Sequence, residues 1–280
     1  MKLEFTKMHG AGNDFVVVDA VTRQIALKPG QIRRLADRHR GIGCDQILLV
    51  EPPSLPDADF RYRIFNADGS EAGQCGNGAR CFARFVREKR LSFKRSLRVQ
   101  TRDGVMQLDT LQDGRVLANL GSPRLNPADV PFMTEQTGLT QPIEVDGETY
   151  SIGVLSMGNP HAVLWVENSE RVPVTRLGPQ IETHPQFPKG ANVGFAQQLS
   201  RKEIRLRVWE RGVGETQACG TAACAAVVHG IRSQQLDTTV TVLLPGGKLS
   251  VTWEGRDDAP VWLGGPTASV FEGAIKLRNG

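Results

Sequence analysis

Two near-copies of one short motif, Gln74-Cys75-Gly76-Asn77-Gly78-Ala79 and Ala218-Cys219-Gly220-Thr221-Ala222-Ala223, stand 144 residues apart in a chain of 280. Each opens a stretch with helical patterning, which places each thiol at a helix N-terminus, where the dipole favours a thiolate. Other polar positions repeat with them. The steps Asn13–Gln46, Gln46–Asn66 and Asn66–Cys75 are 33, 20 and 9 residues; the steps Asn159–Asn192, Asn192–Glu210 and Glu210–Cys219 are 33, 18 and 9. An internal duplication accounts for the shared order. It restricts the chain to two like halves with one such thiol each, and predicts a site at their seam with a base on either side. That arrangement suits taking a proton from one face of a carbon and returning another to the opposite face.

The remaining pattern is of many short strands and few helices. Phe15 to Val18 and Ala162 to Val166 follow Gly-Asn turns, and Arg61 to Phe65 and Ile204 to Trp209 run as strands into the cysteine loops. Hairpins are predicted at Asp103-Gly104, Asp113-Gly114, Asp146-Gly147 and Pro245-Gly246-Gly247. Gln31 to Arg40 reads as a helix with Ile32, Leu35 and Ala36 on one face. Cys75 to Arg90 reads as an amphipathic helix, with Phe82, Phe85 and Val86 opposite its arginines. Cys219 to Ile231 is mostly Ala, Val and Cys, so more of its circumference must be covered. The expected fold is α/β (α+β): two pseudo-symmetric domains, each a mostly antiparallel sheet wrapped around a central helix. The expected spans are 1–119, rejoined by a C-terminal strand within 266–280, and 120–265.

Composition narrows the function classes. Hydrophobic residues make up 40% and charged residues 23%, with a net charge of +4, an ordinary globular mixture. The densest basic run, Arg84 to Arg90, lacks the aromatic interleaving of a nucleic-acid surface and reads as a solvated helix end. The first residues lack the apolar core of a signal peptide, and apolar runs such as Ile47 to Val50 are too short to span a membrane. The expectation is a cytoplasmic protein with no nucleic-acid or membrane partner. Five cysteines, an odd number, argue against a disulfide framework.

The chemistry follows from what an α-proton demands. It is very weakly acidic, so its removal needs a carbanion sink such as pyridoxal, or two placed bases and strong clamping of the carboxylate. No lysine stands out as a pyridoxal attachment site. The backbone N–H groups of Gly76, Asn77, Gly220 and Thr221 at two helix N-termini offer the clamp. CxxC spacing is absent, so no metal site is expected, and Cys81, Cys224 and Cys44 read as packing residues. A dyad of Cys75 with His161 or His9 is a second nucleophilic reading, but it leaves Cys219 unexplained. Asn13, Asn66, Asn159 and Asn192 fit turns as well as ligands. Glu210-Arg211, a carboxylate and a guanidinium after a strand, could hold an ammonium and a carboxylate, or form a surface ion pair.

Gly10-Ala11-Gly12-Asn13-Asp14-Phe15, Asn66-Ala67-Asp68-Gly69-Ser70, Cys75 to Cys81, Gly158-Asn159-Pro160-His161, and Glu210-Arg211-Gly212 with Ala218 to Thr221 together resemble the diaminopimelate epimerases, in order and over nearly the whole chain. The resemblance implies a cofactor-independent isomerase interconverting LL- and meso-diaminopimelate in lysine and peptidoglycan-precursor synthesis. It makes Cys75 and Cys219 the acid/base pair, with His161 and Glu210 supporting them. It assigns Gly76, Asn77, Gly220 and Thr221 to the reacting carboxylate, and Asn13, Gln46, Asn66, Asn159, Asn192, Glu210 and Arg211 to substrate binding. It implies a homodimer with Phe271 in the interface, where a tyrosine is common. Two alternatives remain at this level. Proline-type racemases and epimerases also use two cysteines, but their substrates need neither Glu210-Arg211 nor the asparagine set. A non-enzymatic thiol redox switch would pair the two cysteines and turn over no amino acid.

Overall fold

The computed structural model describes residues 2–73 and 75–277; Gln74 of the first cysteine motif and 278–280 of the expected C-terminal segment lie outside the described residues, as does Met1. The chain divides into two compact units. One runs to Asn119 and takes up the chain again from Gly264; the other is Leu120–Leu263.

The first unit contains β1 (Lys2–Gly10), β2 (Asn13–Asp19), α1 (Pro29–Ala36), β3 (Gln46–Glu51), β4 (Phe60–Asn66), β5 (Glu71–Ala72), α2 (Gly76–Glu88), β6 (Ser96–Thr101), β7 (Gly104–Thr110) and β8 (Val116–Asn119). The second contains β9 (Thr140–Val145), β10 (Glu148–Ser156), β11 (Pro160–Trp165), α3 (Val174–Glu182), β12 (Asn192–Ser200), β13 (Glu203–Glu210), β14 (Gly214–Thr216), α4 (Gly220–Arg232), β15 (Thr239–Leu244) and β16 (Gly247–Thr252). β17 (Trp262–Gly265) spans the unit boundary, and β18 (Ala268–Lys276) belongs to the first unit.

The duplication is visible strand by strand. In the first unit β1–β2 is antiparallel, β2–β3 parallel, β3–β4 antiparallel and β4–β6 parallel. In the second, β10–β11, β11–β12, β12–β13 and β13–β15 repeat that sequence of directions. The difference lies in the strand that flanks the first of each set. β9 precedes β10 and pairs with it through the Asp146-Gly147 turn, whereas β1 is flanked by β18 from the far end of the chain. The C-terminal strand therefore completes the first unit.

Each sheet carries two layers. α1 and α3 lie on one face; Ile32, Leu35 and Ala36 pack with Val16, Val18, Ile47 and Leu49, and Cys44 is one of the small side chains in that layer. α2 and α4 lie on the other, each against several strands of its own unit. Phe82 of α2 meets Tyr62 edge-on with ring centroids 5.3 Å apart. Gly78 allows the close approach, because a Cβ there would lie 2.6 Å from Tyr62 Oη. Ala222, Ala223, Ala225 and Ala226 let α4 be covered nearly all round. No helix among the described residues is long and apolar enough to cross a membrane.

Two sequence expectations need correction. The helix over 31–40 starts at Pro29 and ends at Ala36. Asp37 turns extended, and its carboxylate accepts the N–H groups of His39 (2.8 Å) and Arg40 (2.9 Å), a local competitor that ends the helix. The arginines of α2 do not all face outward. Arg80 is fully buried, donating to Gly76 O (3.2 Å) and Asn77 Oδ1 (2.8 Å). Every residue from Gly76 to Ala83 is buried, so the amphipathic pattern describes only the last turns of the helix.

Candidate active site

Register brings the repeated polar residues to one end of each sheet. β2 and β3 run parallel and β4 antiparallel to them, so the starts of β2 and β3 and the end of β4 coincide. Asn13, Gln46 and Asn66 occupy those ends. In the second unit the starts of β11 and β12 and the end of β13 carry Asn159 with His161, Asn192 and Glu210. Phe15 pairs with Gln46 in one unit as His161 pairs with Asn192 in the other. The asparagines are thus strand-end residues, two of them being the asparagines of the Gly12-Asn13 and Gly158-Asn159 turns.

In the first unit Cys75 is the N-cap residue of α2, with an extended backbone and no side-chain cap bond. Its carbonyl accepts from Ala79 N at 2.8 Å and from Tyr62 Oη at 3.3 Å. Its sulfur stands 3.7 Å from Asn13 Oδ1. The Asn13 amide is aimed by Asp45, which accepts from Nδ2 at 2.9 Å. Asp45 in turn accepts from Asp14 N and Arg38. Burial alone would raise Asp14, but bonds from Arg38 and Lys7 outweigh it and hold its carboxyl well below the usual carboxylate range. Gln46 donates to Asn66 Oδ1 at 2.9 Å, and Asn66 donates to Ser70 Oγ at 3.1 Å. Asp45, Asp14 and Arg38 were missed as supports, although the pairs Asn13-Asp14 and Asp45-Gln46 carry an acid beside each polar candidate. Arg80 was missed because its helix reads as amphipathic.

In the second unit Cys219 caps α4 in the same way. Its sulfur lies 3.5 Å from Thr221 Oγ1, which also accepts from Asn159 Nδ2 at 3.4 Å. Burial foremost, then the Glu210 carboxylate, pushes the Cys219 thiol well above its ordinary range; the Thr221 hydroxyl and the Ala222 N–H work in the opposite direction. The helix N-terminus therefore does not make this cysteine a resting thiolate. Glu210 is tethered by Thr216 Oγ1 at 2.5 Å. No ion pair joins Glu210 to Arg211 among the described residues. Arg211 is exposed, its backbone N–H donating to Asn192 Oδ1 (2.9 Å) and its Nη1 to Lys189 O (2.7 Å). Gly76, Asn77, Gly220 and Thr221 form the first turns of α2 and α4, with N–H groups that make no cap bond to the side chain of the N-cap cysteine.

His161 is 1% exposed, with Nε2 3.0 Å from Asn159 Oδ1. Burial first, and the Arg211 charge second, draw its pKa from 6.5 down to about 3. The imidazole is neutral when folded. Its share of stability is complete above pH 6.5 and is lost as pH falls from there toward about 3. Each unit of that window is worth up to about 1.4 kcal/mol. His161→Phe, which installs the residue found at the equivalent position in the first unit, should flatten this limb. Urea unfolding at pH 7 and pH 4.5 should show the variant losing about 2 kcal/mol less on acidification than the parent; equal losses would place the acid sensitivity elsewhere.

A family model described as diaminopimelate epimerase matches residues 5–126 and 153–268. Proteins named diaminopimelate epimerase from Ectopseudomonas mendocina and Azotobacter vinelandii are each 57% identical over 277 residues, 99% of this chain and 100% of theirs. One from Thioalkalivibrio sulfidiphilus is 58% identical over 278 residues, with the same coverage. Among solved structures, a hydroxyproline epimerase from Agrobacterium vitis matches with a TM-score of 0.71 at 14% identity, over 98% of this chain and 92% of that one. A PhzF-family phenazine biosynthesis protein from Bacillus anthracis matches with a TM-score of 0.70 at 18% identity, over 99% of this chain and 100% of that one. At those identities the likeness is one of fold.

Proposed function

The chain belongs to the diaminopimelate epimerase family, and from that premise we propose that it interconverts LL- and meso-2,6-diaminopimelate with Cys75 and Cys219 as the acid/base pair. The observation that carries the reading is the duplicated frame: in each unit a cysteine stands at the N-cap of a central helix and makes no side-chain cap bond to it. One thiolate takes the α-proton from one face of the carbon. The other thiol delivers a proton to the opposite face, and the roles exchange with direction. The N–H groups of Gly76, Asn77, Gly220 and Thr221 hold the reacting carboxylate and stabilise the charge that develops on it. Glu210 and His161 support the cysteines. Asn13, Gln46, Asn66, Asn159 and Asn192, with Glu210 and Arg211, hold the distal amino-acid end.

The resting states of the two cysteines need not match. Burial first, and the carboxylate beside Cys219 second, favour the protonated form, which suits the acid role on first encounter. The product would feed lysine and peptidoglycan-precursor synthesis in the cytoplasm. A homodimer would use the face of β18, where Phe271 is half exposed and packs edge-on against Phe5.

Incubation with LL-diaminopimelate in D2O, with no added cofactor, tests the reading. Proton NMR and chiral chromatography should show the meso isomer with deuterium at one α-carbon. No α-proton loss from a folded, reduced sample would refute it and turn attention to proline-type substrates and then to a thiol switch. Arg211→Ala should raise KM for diaminopimelate roughly 100-fold through loss of a charged contact to the distal carboxylate. Steady-state kinetics check this, and an unchanged KM would remove Arg211 from the binding set.

A further inference from the structure

Arg211 and Glu210 stand on a tight turn, and a charged pair on a turn is useful only if the turn is fixed. One side chain fixes it from both sides. Glu182, the last residue of α3, accepts from Trp209 Nε1 through Oε2 at 2.6 Å and from Gly212 N through Oε1 at 2.7 Å. Its two oxygens therefore hold the residue before Glu210 and the residue after Arg211. Short, doubly accepted bonds to a carboxylate are among the stronger neutral-donor contacts available to a protein.

Local sequence prepares this bridge. Gly178 lies one helical turn before Glu182, and a Cβ there would be 2.5 Å from Trp209 Cγ. The indole can lie against α3 only because that position is glycine, and its N–H then reaches Glu182 one turn on. From that turn Arg211 reaches Asn192 and Lys189, and its side chain crosses Gly190, where a Cβ would be 2.9 Å from Arg211 Cδ. Gly190 has φ +67°, a conformation glycine adopts without strain.

The duplicated half offers a comparison within the same chain. There β4 ends in Phe65-Asn66 where β13 ends in Trp209-Glu210, and α1 ends in Ala36 where α3 ends in Glu182. The half with a neutral amide at the strand end has neither the indole donor nor the carboxylate acceptor. The half with the charged pair has both.

We propose that Glu182 is a positioning residue whose carboxylate sets the Glu210–Arg211 turn for the distal amino-acid end of the substrate. The proposal rests on the reading of Arg211 given above. The Glu210 carboxylate is tethered within its own hairpin by Thr216, whereas Arg211 reaches Asn192 and Lys189 only with the turn held in place, so the effect falls mainly on Arg211 and on binding rather than on proton transfer.

The test is a double-mutant cycle on the full chain with LL-diaminopimelate. Glu182→Gln puts an amide donor against one of two donors. It should raise KM roughly 10-fold or more while kcat changes much less. Trp209→Phe keeps the ring over Gly178 and removes one donor; it should raise KM in the same direction by less, and it serves if Glu182→Gln folds poorly. In an Arg211→Ala background, Glu182→Gln should add almost nothing to KM. A KM unchanged by both Glu182→Gln and Trp209→Phe overturns the proposal. So does the same KM increase with and without Arg211, or a fall in kcat that matches the rise in KM. An Arg211→Ala enzyme with parental KM would instead refute the premise about Arg211 itself, an outcome distinct from failure of the bridge alone.

Discussion

Cys75→Ala and Cys219→Ala should each lose epimerisation by roughly 10⁴-fold or more, because in the proposed two-base mechanism each removes the acid/base group on its face of the carbon. The loss should appear in kcat with little change in KM, since neither thiol is needed to hold the distal end. A two-base mechanism makes a sharper demand. Each variant keeps one cysteine and so can exchange the α-proton of one stereoisomer only, returning solvent hydrogen to the face it left. In D2O the two variants should therefore wash out protons from opposite isomers without producing the other isomer. Normal turnover by either variant, or exchange of the same isomer by both, would overturn the pair. Alkylation with mass spectrometry supplies the control. Burial pushes the Cys44 and Cys81 thiols up to about 12, so neither should compete for reagent near neutral pH.

What the sequence made legible is the frame. Polar residues at strand ends repeat because the backbone repeats, and the register pairs Phe15–Gln46 and His161–Asn192 make the correspondence explicit. Turn chemistry was equally plain; Asp146 and Gly147 adopt the positive φ values that a tight hairpin requires. Other features depend on surroundings that spacing does not record. Arg80 is spaced like a solvent-facing arginine, but the first half of α2 is enclosed on all sides. The helix through Arg40 fails because one carboxylate, Asp37, captures two N–H groups locally. Glu182 lies 29 residues before Arg211 in the sequence, and only the packing of α3 on β13 brings it to that turn. The protonation of Cys219 was out of reach of spacing for the same reason. A helix N-terminus was visible in the motif, whereas the burial of the sulfur and the approach of Glu210 required the fold.

Glu210→Gln should lower the pH at which Cys219 ionises. Burial remains in the variant and still raises the thiol, but the carboxylate that adds to it is replaced by a neutral amide of the same shape. The sign is fixed by the charge: removing a negative neighbour favours the thiolate. In the direction where Cys219 delivers the proton, the enzyme needs the thiol form, and the alkaline limb of kcat/KM should move to lower pH. Cys219 should also be alkylated faster than in the parent at a fixed pH near 8. The same substitution should reduce kcat on the order of 100-fold, because the thiol it supports no longer has its proton affinity matched to the transfer. Thr216→Val provides the comparison, since it removes the bond to Glu210 and keeps the charge. If the limb shifts equally in both variants, the tether matters and the charge does not. If it shifts in neither, burial alone sets the acidity of Cys219, and Glu210 acts on the substrate rather than on the cysteine.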